Sequence, residues 1–249
     1  MSGTNKGKLP DFIGAGFQKC GTKALSNNLS QHPSITIPRR NRGDKQCYEF
    51  NFFRKDSNSA KLGLDWYTSH FKDDGGLWGE ISPNYSWEAG ESAELISKLL
   101  PDVKLIFTLR NPVDRAYSAY NMYCQVYPRS KDWSDWKHTE DFMWNLQNGF
   151  FSTLVYVDAL KEYEKRFPRE NIHIVIQERL SKDGQSEYSK IFDFLGLADF
   201  EITNKMIHAR EYPRLITEQE ADFAKNLFNE KTLELYEFLG YEIEEWKLR

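Results

Sequence analysis

The sequence predicts an α/β domain built on a P-loop-like, mainly parallel β-sheet flanked by helices. Short apolar runs alternate with amphipathic stretches, and a glycine-rich segment directly follows the first apolar run. The chain contains no internal repeat or low-complexity segment. Because 249 residues suffice to bury one full core, we expect a single domain over residues 1–249.

The first predicted strand is the apolar run FIGAG over 12–16, and it leads through a turn into a helix over 22–31. Leu25 and Leu29, four residues apart, mark the buried face of this helix. His32 and Pro33 end it, since proline cannot continue a helix.

A second strand–helix unit begins with the apolar run VKLIFTL over 103–109. Asn111 suits the N-cap of the following helix and Pro112 its first position. The apolar stripe of that helix consists of Val113, Ala116, Tyr117 and Tyr120.

The rest of the chain alternates in the same way. It predicts a helix over 154–167, a strand over 172–176, a helix over 187–195 and a closing charged helix over 218–239. The stretch 123–149 differs, because Trp133, Trp136 and Trp144 lie among many charges without clear periodicity. We expect this stretch to form a lid or an acceptor-binding excursion.

Composition limits the possible functions. Aromatic residues make up 15% of the chain, which is typical of a globular protein with apolar pockets. The net charge of −4 gives no indication of nucleic-acid or membrane binding, so any anion site must be built locally. Cys20, Cys47 and Cys124 show no CxxC spacing and predict neither a disulfide framework nor a zinc site.

The segment MSGTNKGKLPDF at the start contains no long apolar run. We therefore expect no signal peptide or membrane anchor, and a cytoplasmic enzyme. A luminal domain trimmed from a larger protein is the alternative. No pattern in the sequence indicates the oligomeric state.

The loop GAGFQKCGTK over 14–23 joins the first strand to its helix. Such a loop directs backbone N–H groups at one spot, and the helix N-terminus adds partial positive charge. Lys19 and Lys23 add two full charges, so the segment predicts an anion-binding cradle. The alternative is a simple glycine turn with solvated lysines.

The Walker A loop, G-x-x-x-x-G-K-[ST], is the obvious comparison. Gly16 and Gly21 have its spacing, but Thr22-Lys23 reverses the expected order of lysine and hydroxyl. A kinase or NTPase would also need an acidic residue at a neighbouring strand end to hold Mg²⁺. The strand over 103–109 is followed instead by Arg110, which favours an anion over a metal ion.

Two segments resemble the superfamily of sulfotransferases that use 3′-phosphoadenosine 5′-phosphosulfate (PAPS). GFQKCGTKALSNNLSQHPSI looks like the family's 5′-phosphosulfate loop, and LIFTLRNPVDRAYSAY is similar to its 3′-phosphate motif, L-R-[DN]-P-x-x-R-x-x-S-x-Y. The similarity is greatest to heparan sulfate glucosaminyl N- and 3-O-sulfotransferases and their bacterial relatives. The resemblance implies the sulfotransferase fold.

The resemblance also implies roles for individual residues. Lys19 would stabilise charge on the departing phosphate, and Arg110 and Ser118 would bind the 3′-phosphate. The 5′-phosphosulfate would be held by Lys19, Cys20, Gly21, Thr22, Lys23 and Ala24. The alternatives are a helix cap or surface ion pair for Arg110 and an ordinary helix position for Ser118. Because a sulfuryl group carries less negative charge than a terminal phosphoryl group, no metal is expected.

Glu49 is the predicted catalytic base. The segment YEFNFF over 48–53, followed by GLDWY over 63–67, is similar to the E-x-x-F-F…G-x-x-W-Y pattern of the heparan sulfate enzymes, whose glutamate has that role. A carboxylate among aromatic residues can also have a raised pKa that suits base catalysis. The alternative is a solvated glutamate on a loop.

Two positions depart from the family pattern. HAREYPR over 208–214 resembles the basic loop that closes over the nucleotide, but only Arg210 carries over, with a surface charge as its alternative. In GEISPNY over 79–85, which matches E-K-[ST]-P-x-Y, Ile81 replaces the family's second active-site lysine. Lys19 would then act alone or with another basic residue.

These observations favour sulfuryl transfer from PAPS to a hydroxyl or amine, with release of PAP. The expected acceptor is a small molecule of the natural-product type or a saccharide. The acidic chain offers no long basic track for a polyanionic polysaccharide, which favours the small molecule. The alternatives are a Mg-ATP-dependent P-loop kinase acting on a small molecule and an inactive nucleotide-binding scaffold.

Overall fold

A computed structural model describes residues 7–42, 45–47, 49–126, 141–149, 156–203 and 212–247. Five strands form one sheet in the order β2-β5-β1-β6-β7, and every neighbouring pair is parallel. Two further strands, β3 and β4, form a separate antiparallel pair. The strands are β1 (Phe12–Gly16), β2 (Ile35–Thr36), β3 (Arg40–Arg42), β4 (Lys45–Cys47), β5 (Leu77–Ile81), β6 (Lys104–Leu109) and β7 (Ile172–Ile176).

Nine α-helices occur within the described ranges. They are α1 (Thr22–Leu29), α2 (Gly63–Thr68), α3 (Ala89–Leu99), α4 (Pro112–Val126), α5 (Phe142–Gln147), α6 (Tyr156–Glu164), α7 (Gln177–Lys182), α8 (Gly184–Leu195) and α9 (Glu218–Leu239). A 3₁₀ helix, Pro83–Ser86, follows β5. The parallel sheet with flanking helices confirms the predicted fold class.

The chain falls into two compact units. The first comprises Met1–Leu109 and Ala159–Ile207 and contains the whole sheet. In its main core cluster, apolar residues of β1, β5, β6 and β7 pack with those of α1 and α8. The fully buried residues of this cluster include Phe12, Leu25, Leu29, Ile81, Ile106, Val175, Ile191 and Phe192.

The second unit comprises Arg110–Asp158 and His208–Arg249. Its core forms where α4, α5 and α9 pack together. The buried residues there are Ala116, Tyr117, Ala119, Tyr120, Phe142, Leu146, Ala224 and Phe228. The predicted single domain over 1–249 stays a prediction.

Most predicted elements are present with small changes at their ends. The strands over 12–16 and 172–176 and the helix over 218–239 have the predicted bounds. The helix predicted over 187–195 begins at Gly184, because the Asp183 side chain accepts a hydrogen bond from the Ser186 amide and caps it. The helix predicted over 154–167 is seen as α6, and residues 150–155 lie outside the described ranges.

Candidate active site

The β1–α1 loop, residues 17–21, leaves the carboxyl end of the central strand. Its first amide, on Phe17, donates to the Thr108 carbonyl of β6 at 3.1 Å. The Thr108 hydroxyl donates in turn to the Gly16 carbonyl at 3.2 Å. The start of the loop is thereby fixed against the neighbouring strand.

The N-terminus of α1 faces the same loop. Gly21 is its N-cap residue, with φ at 84°, and no side chain caps the helix. A Cβ at Gly21 would lie 3.2 Å from Gln177 Cγ, so glycine serves both the backbone conformation and the packing here. The first-turn amides, on residues 22–24, have no intrahelical acceptor, and the helix dipole adds partial positive charge. This arrangement suits an anion.

The side chains of the loop differ in exposure. Lys19 is half-buried, and its φ of 68° lies in a region that non-glycine residues seldom occupy. Such backbone strain costs about 1–3 kcal/mol and is concentrated at ligand sites. Thr22 is buried and Lys23 is exposed. The Cys20 thiol is fully buried, and the Cys20 amide donates to the Phe17 carbonyl at 3.3 Å.

Arg110 and Ser118 belong to the second unit. Arg110 is half-buried, and its backbone forms two hydrogen bonds with the Tyr156 hydroxyl. The hydroxyl donates to the Arg110 carbonyl at 2.6 Å and accepts from the Arg110 amide at 3.3 Å. Asn111 caps α4 as predicted, because its Oδ1 accepts from the Val113 amide at 3.0 Å. Ser118 lies two turns into α4 and is buried.

Glu49 is half-buried and precedes a segment, residues 50–53, that is tied to the end of β5. The Ser82 hydroxyl accepts from the Phe50 and Asn51 amides, both at 3.0 Å. The Ser82 amide donates to the Gly14 carbonyl of β1 at 2.9 Å. Within the first unit, residues 49–53 therefore lie at the same edge of the sheet as the carboxyl end of β1, where the β1–α1 loop begins.

Glu80 is a residue of this edge to which sequence reasoning gave no role. Its side chain is fully buried and accepts hydrogen bonds from Tyr67 at 2.5 Å, Ser82 at 2.8 Å and Tyr85 at 2.9 Å. Burial raises the pKa of Glu80 to about 7, although the three hydroxyl groups lower it. In the sequence, the position of Glu80 two residues before Ser82 in GEISPNY was the feature that could have indicated this contact.

Ile81 lies in the hydrophobic core. It is fully buried in the cluster with α1 and α8, and a Cβ at Gly14 would lie only 2.9 Å from Ile81 Cγ1. Glycine at position 14 is what allows the isoleucine to pack this closely.

Arg210 and most of the stretch 123–149 lie outside the described residues, so their roles stay predictions. Of that stretch, the structure describes the end of α4 and the helix α5. In the ranges that are described, no cluster of His, Cys, Asp or Glu could hold a metal ion. No helix in those ranges is long and apolar enough to cross a bilayer.

The fold and the loop define a P-loop-like α/β protein with a candidate anion site at the carboxyl edge of its sheet. The family model described as sulfotransferase domain matches residues 9–215. The chain belongs to this sulfotransferase family, as the sequence motifs predicted. Family membership favours sulfuryl transfer over the kinase alternative.

Individual relatives agree with this assignment. Heparan sulfate glucosamine 3-O-sulfotransferase 5 of Mus musculus is 30% identical over 198 residues, which cover 76% of this chain and 54% of that protein. The chain thus spans about half the length of this relative. A crystal structure of a sulfotransferase from Alicyclobacillus acidocaldarius has a TM-score of 0.78 at 23% identity, covering 96% of this chain and 99% of that one.

A mouse sulfotransferase, SULT7A1, crystallised in complex with PAP, has a TM-score of 0.57 at 17% identity. The alignment covers 91% of this chain and 85% of the mouse chain. At these identities, both structures support the fold alone.

Proposed function

We propose that the chain transfers a sulfuryl group from PAPS to a hydroxyl or amine and releases PAP. The observation that carries the proposal is the uncapped N-terminus of α1 beside half-buried Lys19, at the end of the central strand of a sulfotransferase domain. Each feature attracts an anion, and together they suit the phosphosulfate end of the nucleotide.

The donor site fits the residues present. The amides of Thr22, Lys23 and Ala24 supply donors without intrahelical partners, and Lys19 supplies a full positive charge. In the proposed reaction, Lys19 stabilises the negative charge that develops on the departing phosphate. The loop holds the phosphosulfate in line with the acceptor. The family resemblance assigns the 3′-phosphate to Arg110 and Ser118, and this assignment is part of the proposal.

Glu49 is the proposed base that removes the acceptor proton. Glu49→Gln should lower turnover by roughly 10²–10⁴-fold, because the amide cannot accept this proton in the transition state. PAP binding, measured by thermal shift, should stay near the wild-type value. Glu94→Gln, which removes an exposed carboxylate from α3, is the matched control. Wild-type turnover in Glu49→Gln would exclude Glu49 as the base.

The acceptor is proposed as a saccharide or a small molecule. The glucosamine enzymes among the relatives support a saccharide. The acidic chain, which offers no long basic track for a polyanionic polysaccharide, supports a small molecule of the natural-product type. Radiolabelled PAPS should be offered with an N-desulfated heparan tetrasaccharide, a simple phenol and an aliphatic alcohol. The labelled product identifies the acceptor class, and a labelled phenol or alcohol would show transfer to oxygen.

Nucleotide selectivity tests the proposal without an acceptor. A ligand that binds the folded state raises the melting temperature, and the rise grows with the ratio of ligand concentration to its dissociation constant. PAP should therefore stabilise the protein equally with Mg²⁺ and with EDTA. Stabilisation by Mg-ATP alone would refute the proposal and support the kinase. PAP binding without turnover of any acceptor would favour the inactive scaffold.

The cytoplasmic location is also a proposal, and fractionation of the native host cells would test it.

A further inference from the structure

Glu80 is a carboxylate in an environment that disfavours charge. The residue is fully buried on β5, and two of its three hydrogen-bond donors are the hydroxyl groups of Tyr67 and Tyr85. Over the residues that the structure describes, no lysine, arginine or histidine forms an ion pair with it. A buried carboxyl group without a cation is costly, so its presence on β5 points to a task that an apolar residue could not perform.

The hydrogen bonds of Glu80 show what this task is. A serine hydroxyl has one proton to donate and two lone pairs that accept. At Ser82 the proton goes to Glu80 Oε2 at 2.8 Å, and the oxygen accepts from the Phe50 and Asn51 amides. Because Glu80 takes the proton, both lone pairs of the serine are available for the two amides that follow Glu49.

A second connection runs through Tyr85. The Tyr85 hydroxyl donates to Glu80 Oε1 at 2.9 Å and accepts from the Phe53 amide at 3.3 Å. The Asn84 side chain also donates to Asn51 Oδ1 at 3.3 Å, and Asn51 has φ at 52°. Three of the amides that follow Glu49 are thus held, through two hydroxyl groups, by one carboxylate.

We propose that Glu80 is a positioning residue that acts through Ser82 and Tyr85 to place the backbone next to Glu49. This inference rests on the proposed function, because it concerns the placement of the base assigned there. Glu80 itself does not touch the reacting groups. Its contribution is the fixed direction of the two hydroxyl groups.

Tyr67 provides a matched control for the experiment. Its hydroxyl donates to the same carboxylate at 2.5 Å, but the structure gives it no hydrogen bond to residues 50–53. Ser82→Ala and Tyr67→Phe therefore each remove one hydroxyl group from Glu80, and only the first also releases the Asn51 amide.

The first measurement needs no acceptor. Amide hydrogen exchange should be faster at Asn51 in Ser82→Ala and unchanged at this position in Tyr67→Phe. Equal exchange in the two variants would overturn the proposal.

The second measurement uses radiolabelled PAPS and whichever of the three acceptors is turned over. A misplacement of about 1 Å can reduce turnover by about 10²-fold, so we expect Ser82→Ala to lower kcat by about 10–10²-fold at unchanged PAP affinity. Tyr67→Phe should lower kcat by less than about threefold. Ser82→Thr, which keeps a hydroxyl group at this position, should have a kcat near the wild-type value. Equal kcat in Ser82→Ala and Tyr67→Phe would overturn the positioning role.

A double-mutant cycle separates this inference from the proposed function. If Ser82 acts through Glu49, adding Ser82→Ala to Glu49→Gln should cause no further loss of kcat. If the losses of kcat in the two single variants multiply in the double variant, Ser82 does not act through Glu49. If Glu49→Gln keeps the wild-type kcat, Glu49 is not the base. Should Ser82→Ala not fold, Glu80→Asp retracts the carboxylate from Ser82, and wild-type kcat in that variant would count against the proposal.

Discussion

Glu80 gives the folding stability a pH dependence opposite to that of most carboxylates. Burial raises its pKa from 4.5 to about 7, while hydrogen bonds from Tyr67, Ser82 and Tyr85 lower it. The folded chain therefore binds this proton more tightly than the unfolded chain does. The contribution of Glu80 to stability is most favourable below pH 4.5 and declines as the pH rises through 7.

The size of this effect follows from the two pKa values. Since a tenfold change in proton affinity is worth about 1.4 kcal/mol, the full shift corresponds to roughly 3 kcal/mol. Because the protein relaxes around the ionised carboxylate, we expect stability to fall by about 1–3 kcal/mol between about pH 4.5 and about pH 8.

Glu80→Gln tests this expectation, because glutamine does not titrate. Urea unfolding at several pH values gives the free energy of unfolding of both proteins. Their difference isolates Glu80 from the other titrating groups. Ile191→Val, a change in the core cluster that removes no titrating group, is the control and should keep the wild-type pH dependence. An identical pH dependence in wild type and Glu80→Gln would refute the reasoning.

Three further substitutions test other parts of the structure. Gly21→Ala should destabilise the fold by about 1–3 kcal/mol, since φ at Gly21 is 84°; urea unfolding measures this, and PAP affinity should fall with it. Asn111→Ala should cost about 1 kcal/mol through loss of the α4 cap, and Asn111→Asp should restore it; unchanged stability in the alanine variant would contradict the cap. The paired Arg214 guanidinium lowers the pKa of Glu220 to about 2, so Glu220 contributes stability above about pH 4.5 that is lost as the pH falls towards 2. Glu220→Gln should remove this acid sensitivity, about 1 kcal/mol in size for a partly exposed pair, in acid titrations followed by circular dichroism.

The sequence was most informative where parallel strands are covered on both faces. FIGAG, KLIFTL and IHIVI are nearly continuous apolar runs, as expected of strands buried on both sides. β5 was not predicted, because LWGEI contains a glycine and a glutamate that count against a strand. The short strands β2, β3 and β4 and the helices α2, α5 and α7 were also not predicted, since two to six residues give little periodicity. The eleven-residue helix α3 was not predicted either.

The same limit applies to the candidate site. The β1–α1 loop and the Asn111 cap are local features, so their positions followed from neighbouring residues. The role of Glu80 depends on Tyr67, which is thirteen positions away, and on amides about thirty positions away. No local pattern shows that a glutamate will be completely buried, and average burial of this residue type predicts the reverse.

The Ser82 hydroxyl uses all of its hydrogen-bonding capacity, and this has a consequence for how such chains diverge. If a substitution removes the carboxylate at position 80, the Ser82 proton loses its acceptor. If a substitution removes the serine, the buried carboxylate keeps its desolvation cost and no longer positions the Asn51 amide. The two positions should therefore be retained or lost as a pair among descendants of this chain, with threonine as the tolerated exchange at position 82.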